Sequence, residues 1–228
     1  MSYARRLWPA FETYHAHVYF VPEAAEAYRG LGLKGGWMGY FASRSAALGP
    51  ASPGLVTAVF FNFHPAMVAR ALPDAWALAS PDDVLAARLR SADVALRRLI
   101  PDHVGSPAEA EAAALAREAA EAPALAGRPL FGALRSLSWP EEPHLQLWHA
   151  CTLLREHRGD GHVAALTDAG RAGRAEVEAR TDALAEEPWR ALGPQRTERL
   201  LELLAPMARA INAAGGVPVP NPVGVPAP

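Results

Sequence analysis

Between Arg155 and His162 the sequence REHRGDGH places two histidines, two arginines, a glutamate and an aspartate within eight residues. The run closes an apolar stretch, WHACTLL, and is followed by apolar VAAL. Imidazoles in such a setting bind a metal ion or move protons near neutral pH, and guanidinium groups hold carboxylates or phosphates. His149 and Glu156 stand seven apart, which puts them on one helix face to within about 20°. His157 and Arg158 follow at the helix end, and His162 opens the next segment. Read as a site, the run offers His149, Glu156, His157 and His162 as catalytic groups. Trp148, Arg155, Arg158 and Asp160 are then the ligand contacts. Read as a structural corner, it is a set of Arg–Glu and Arg–Asp pairs, with Gly159 ending one helix and Asp160 capping the next. Both readings are open at this point.

Other candidates lie elsewhere. Phe63 and His64 follow a phenylalanine-rich stretch, where one polar group at the end of an aromatic wall is a usual pocket lining. His64 before Pro65 is equally placed to cap a helix. His15, His64, His149, His157 and His162 form the candidate metal set, for iron, manganese, zinc or copper. A dinuclear carboxylate site needs two Glu-x-x-His pairs; Glu12 with His15, and Glu141 with His144, have that spacing, and Glu156 could add a carboxylate. His17 and His103 have no comparable neighbours in sequence. Trp37, Tyr40, Phe41, Trp76 and, on the bland reading, Trp148 fall on helix faces where aromatic residues read as core.

Composition removes several classes. A charge of −2 and the absence of a basic stripe give no reason to expect nucleic acid. The lone Cys151 rules out an internal disulfide and any cysteine-built metal centre. No dinucleotide fingerprint, phosphate loop or nucleophile elbow occurs, and Gly32 to Gly36 lacks the strand such a loop needs. No apolar leader or membrane-length run is present, so a cytoplasmic protein is expected, without membrane contact.

The elements that must position these residues read as helices throughout. Tyr3 to Tyr19 has helical spacing, and Pro22 opens a short helix. Trp37 to Leu48 follows a glycine-rich loop. Leu55 to Phe63 is the one strand-like run, and equally fits a buried helical turn. Pro65 opens a helix to about Leu78, Ser80 caps one reaching Leu99, and Ser106 caps one fading near Pro123. A short segment spans Pro129 to Leu137. The site helix runs from about Glu141 to His157, and two amphipathic helices span Thr167 to Ala185 and Gln195 to Ala214. The expected fold is all-α, a multi-helix bundle with an extended Pro-rich C-terminal tail.

The segments HAHVYFVPEA, FFNFHPAMVARALPDAW, LWHACTLLREHRGDGHVAAL, EEPWRALG and PNPVGVP together resemble an actinobacterial family of helix-turn-helix, MarR-like proteins. The resemblance implies a winged helix after GDGHVAAL, and a homodimer. This chain departs from that pattern, because Leu166 runs at once into TDAGRAGRAEVEARTD, with no room for a recognition helix. The expected organisation is a helical body over 1–166 carrying the pocket, and over 167–228 the remnant of the winged-helix region with the tail. Two functions follow. One is an enzyme-like protein with a histidine- and arginine-lined pocket for an anionic or aromatic small molecule, metal-dependent or not. The other is a ligand-sensing MarR-like regulator, or a regulator-derived protein that has lost DNA binding.

Overall fold

The computed structural model describes residues 2–60, 63–158, 168–221 and 227, with backbone alone for 168–175 and 178. Thirteen α-helices and two short 3-10 helices, and no strand, are found among the described residues. In chain order the α-helices are α1 (Tyr3–Ala16), α2 (Pro22–Gly30), α3 (Gly35–Ser45), α4 (Pro53–Val59), α5 (Pro65–Ala71), α6 (Asp74–Leu78) and α7 (Pro81–Leu99). They continue as α8 (Pro107–Glu121), α9 (Pro129–Arg135), α10 (Pro143–Arg158), α11 (Asp168–Ala185), α12 (Glu187–Leu192) and α13 (Pro194–Ala213). The chain is thus all-α, as its periodicity predicts. No helix among the described residues is long and apolar enough to cross a membrane.

Local chemistry starts these helices. Ser52, Ser80 and Ser106 each accept a hydrogen bond from the backbone N–H three residues on, at 3.3, 3.1 and 3.1 Å, which satisfies an otherwise orphaned donor. Proline at the first turn of α2, α4, α5 and α8 adds a preset φ where no N–H is needed. The strand-like run from Leu55 therefore belongs mostly to α4, which Ser52 and Pro53 initiate. The single helix expected from Pro65 to Leu78 divides into α5 and α6 around Pro73, whose missing N–H cannot continue a helical ladder.

The chain forms two compact units. The first comprises Met1–Ala16, Leu99–Ala124 and Trp139–Pro228. In it α1 packs on α10 and α13, and α8 packs on the same two, closing a four-helix ring with α11 and α12 against it. Leu7, Phe11, Leu147, Leu153, Leu200 and Ile211 fill its interior. The facing side of α8 is alanine at 112, 113, 116, 119 and 120, and such small side chains bring a neighbouring helix close. α13 ends at Ala213, and Gly215, just beyond its cap, has a φ of +76°. The next residue, Gly216, has no space for a Cβ, which would lie 2.8 Å from Ile211 and Leu99 atoms. Val217 is buried, so the tail begins docked on this unit.

The second unit comprises His17–Arg98 and Leu125–Ser138. Helix α3 is its hub, touching α2, α5 and α6. Gly39 is needed there, because a Cβ would sit 2.8 Å from the Tyr28 ring of α2.

Leu153 lies wholly inside the first unit. Leu153→Ala is expected to lower its stability by about 2–5 kcal/mol, read from urea unfolding of both proteins. A loss under about 1 kcal/mol would mean that the ring is not the core.

Candidate functional site

In the first unit, α10 carries Thr152, Arg155 and Arg158 at three-residue steps, one stripe of its surface. α1 carries Trp8, Glu12 and His15 at steps of four and three. The helices run antiparallel, so the two stripes meet as a ladder. His15 Nδ1 lies 2.9 Å from Thr152 Oγ1, and that hydroxyl donates its one proton to the Trp148 carbonyl at 2.9 Å. The hydroxyl must then accept from His15, which assigns a proton to Nδ1. Trp148 Nε1 donates back to the His15 carbonyl at 3.3 Å. On the next rung Arg155 Nε donates to Glu12 Oε1 at 3.4 Å, and its Nη1 to Glu156 Oε1 at 2.7 Å. On the last, the Arg158 guanidinium stands 5.0 Å over the Trp8 ring and donates to Asp182 Oδ1 at 2.7 Å. Arg5 Nε holds the other oxygen of Asp182 at 2.8 Å.

Glu12, His15, Thr152, Arg155 and Arg158 are buried, and Arg5, Trp8, Glu156 and Asp182 are half-buried. Burial works to raise Asp182, yet the hydrogen bonds from Arg5 and Arg158 outweigh it and hold the carboxyl below its ordinary value. His157 Nε2 lies 3.4 Å from Glu187 Oε2, and Glu187 also accepts the Ala124 N–H at 3.2 Å. A second buried carboxylate, Glu109, accepts from Gly105 N–H at 2.8 Å and from the Tyr14 hydroxyl at 3.3 Å. Burial raises Glu109, and the partners only partly offset it. Burial also pushes the Cys151 thiol well up, so it is no thiolate nucleophile.

The structure brings together His15, Trp148, Arg155, Glu156 and Arg158 along the α1–α10 seam. His149 packs instead edge-on against Trp139, with ring centroids 4.8 Å apart, and Arg117 stands 4.6 Å from the same indole. His157 turns to α12. Asp160 and His162 lie outside the described residues. The Glu141–His144 pair does not share a helix face: α10 begins at Pro143, leaving Glu141 exposed ahead of it while His144 is buried. In the second unit His64 caps α5, its Nδ1 accepting from Ala66 N–H at 3.2 Å. Phe63 packs on Trp37, Tyr40 and Phe41, with centroids 6.0, 5.5 and 5.1 Å away. Among the described residues no three His, Cys, Asp or Glu side chains are grouped as metal ligands.

Sequence reading missed a cleft of about 370 Å³ in the second unit, lined by α2, the turn before it and the start of α3. Its signal was present as Tyr19, Tyr28 and Tyr40 with Gly35, Gly36 and Gly39, small residues on a helix beside aromatic ones. Trp37, expected in the core, is 53% exposed, because it stands on the outer side of α3. Phe41, one turn on, is fully buried.

The fold and this seam define an all-helical protein of two units in which ion pairs hold a long polar helix inside a bundle. The profile of a helix-turn-helix family matches residues 4–169 and 164–218, and the chain belongs to that family. No curated protein matches the sequence, and no solved structure matches it either.

Two outcomes test the seam. Arg155→Ala leaves Glu12 buried opposite an alanine and should cost about 3–5 kcal/mol in urea unfolding, whereas Glu12→Leu with Arg155→Met should recover most of that. Equal losses in the single and double variants would separate the two residues. For Glu109 the folded pKa lies above the unfolded value of about 4.3. Its contribution is full below that value and disappears as pH rises through the folded one, beyond which the ionised group opposes folding. Stability measured from about pH 4 to pH 7 should therefore increasingly favour Glu109→Gln over the parent. A pH-independent difference would contradict the assignment.

Proposed function

We propose that this chain is a small-molecule-binding protein derived from MarR-like helix-turn-helix regulators, and that it no longer reads DNA. The observation that carries the reading is the connection between α10 and α11, which is nine residues, 159–167. A recognition helix and a two-stranded wing together need more chain than that, since strands alone average about 5–6 residues each. The family match breaks at the same place, its two pieces meeting at residues 164–169.

Helix α11 is a poor substitute for the lost reader. Asp168–Ala185 carries three arginines against four carboxylates, for a net charge of −1. Arg180 is paired with Glu176 at 2.5 Å, and Asp182 is taken by Arg5 and Arg158. DNA affinity depends on protein cations that neutralise phosphates and release their counterions, and this helix offers few. We read the charged seam as structural for the same reason: its arginines are spent on neighbouring carboxylates. Ligand binding then falls to a cleft whose volume of about 370 Å³ lies in the range of small-molecule sites.

Fluorescence anisotropy with a labelled duplex tests the reading. Ordinary non-specific binders show Kd of about 10⁻⁴–10⁻⁶ M at physiological salt and tighten steeply on dilution to about 50 mM. No salt-dependent binding is expected at about 50 mM salt and protein up to about 10⁻⁵ M. Saturable binding that weakens with added salt would refute the loss of DNA reading.

A further inference from the structure

We propose that a hollow between α3 and α5 docks an acidic segment of a partner protein. One bulky apolar side chain of that segment seats against Trp37 and Met67, while flanking carboxylates meet Lys34 and Arg70. The hollow measures about 310 Å³ and is lined by Lys34, Trp37, Met38, Met67, Arg70 and Ala71. At about 100° per residue, Lys34, Trp37 and Met38 fall on the side of α3 opposite Gly35, Gly36, Gly39 and Tyr40, which line the other cleft. The inference is therefore separate from the small-molecule reading above.

The walls argue for a side-chain anchor. Single exposed apolar residues are ordinary on a protein surface. Trp37 differs because its indole, 53% exposed, is held by three rings of its own unit. It stacks on Phe41 at 5.9 Å and meets Tyr40 and Phe63 edge-on at 5.8 and 6.0 Å between centroids. A rigid tryptophan with an arginine nearby is the composition of interface anchors. Met67 of α5 is half-buried, and the buried Met38 and Ala71 form the floor. The Lys34 N–H donates to the Met38 sulfur at 3.2 Å, which steadies that floor. Methionine adapts its shape to what it meets, so such a hollow accepts leucine, phenylalanine or methionine. A bilayer would ask for apolar groups that protrude, whereas Met38 and Ala71 are sunk. A nucleic-acid strand needs a track of aromatic faces and cations, and the hollow offers one indole and two cations.

The charge argues for acidic flanks. Lys34 and Arg70 are both exposed, and no Asp or Glu lines the hollow. The ion pairs described in this unit, Arg97 with Asp93 and Arg98 with Glu23, use neither of them. The second unit as a whole carries ten Lys and Arg residues against six Asp and Glu, whereas the first carries twelve against eighteen. The chain's charge of −2 thus conceals a basic unit whose field draws in a negatively charged partner.

The test selects random peptides displayed on phage against the full chain. Enriched peptides should carry an acidic excess around one bulky apolar residue, and the strongest is synthesised with a fluorophore and titrated by anisotropy. Lys34→Glu with Arg70→Glu should raise its Kd at least about tenfold and flatten its salt dependence. Replacing the peptide's carboxylates by amides should weaken binding to the parent as much. Trp37→Ala should also raise the Kd at least about tenfold. Circular dichroism melts of the charge variant, altered only at exposed positions, should match the parent. No enrichment, enriched peptides without an acidic excess, or unchanged affinity in the charge variant would overturn the site. Vesicles of phosphatidylglycerol and phosphatidylcholine close the alternative: a parent that sediments with them and a charge variant that does not would make a lipid surface the occupant, and the proposal would be wrong.

Discussion

The antiparallel contact of α1 with α10 can exist in one register only, because it buries a carboxylate and a guanidinium side by side. Glu12 meets Arg155, His15 meets Thr152, and Trp8 lies under Arg158. Sliding α1 by one turn would set Arg155 against Trp8 or His15 and leave Glu12 in the bundle without a counter-charge. An uncompensated buried charge costs about 3–5 kcal/mol, a large part of the about 5–15 kcal/mol that holds a domain together. Apolar packing alone would tolerate several registers, since leucine and alanine faces interdigitate in many ways. Here packing supplies most of the burial and the ion pairs choose among arrangements. The same logic extends outward. Arg158 reaches Asp182 and so fixes α11, and His157 reaches Glu187 and so meets α12.

Much of the helical framework was legible, because its signals are local. A serine followed by proline opens α7 and α8 where the sequence says it should, and the reason is a hydrogen bond spanning three residues. The same local view could not settle Leu55 to Phe63, where an apolar run fits two periods. It placed Glu141 in the site helix although Pro143 is the residue suited to a first turn. It passed over α12, whose Trp189 is buried but whose six residues are too few to show a period.

The partners of the charged residues were not legible at all. Arg155 and Glu12 are 143 positions apart, and Arg158 and Asp182 are 24 apart with the nine-residue connection between. No spacing rule joins such pairs. REHRGDGH reads equally as a binding site or as a corner until α1 is laid beside it. The cleft was hidden for a related reason. Glycine in a helix lowers its intrinsic stability by about 1 kcal/mol, so GGWMG looks like a loop rather than a helix start. Only against Tyr28 does Gly39 acquire a reason, as the place where a ring must approach backbone.

A helix-turn-helix protein reads DNA by leaving one helix free to enter a groove. Here the helix after α10 is tied to α1 and α10 through Asp182. Asp182 is held by two arginines from two different helices, and both hydrogen bonds are charge-assisted, the stronger kind. Withdrawing α11 would take Asp182 away from both Arg5 and Arg158. The connection before α11 is short, and the helix itself is net acidic. These three features have separate physical origins: chain length, charge balance and buried pairing. Each supports the proposed loss of DNA reading, in which α11 serves as a structural stave of the bundle.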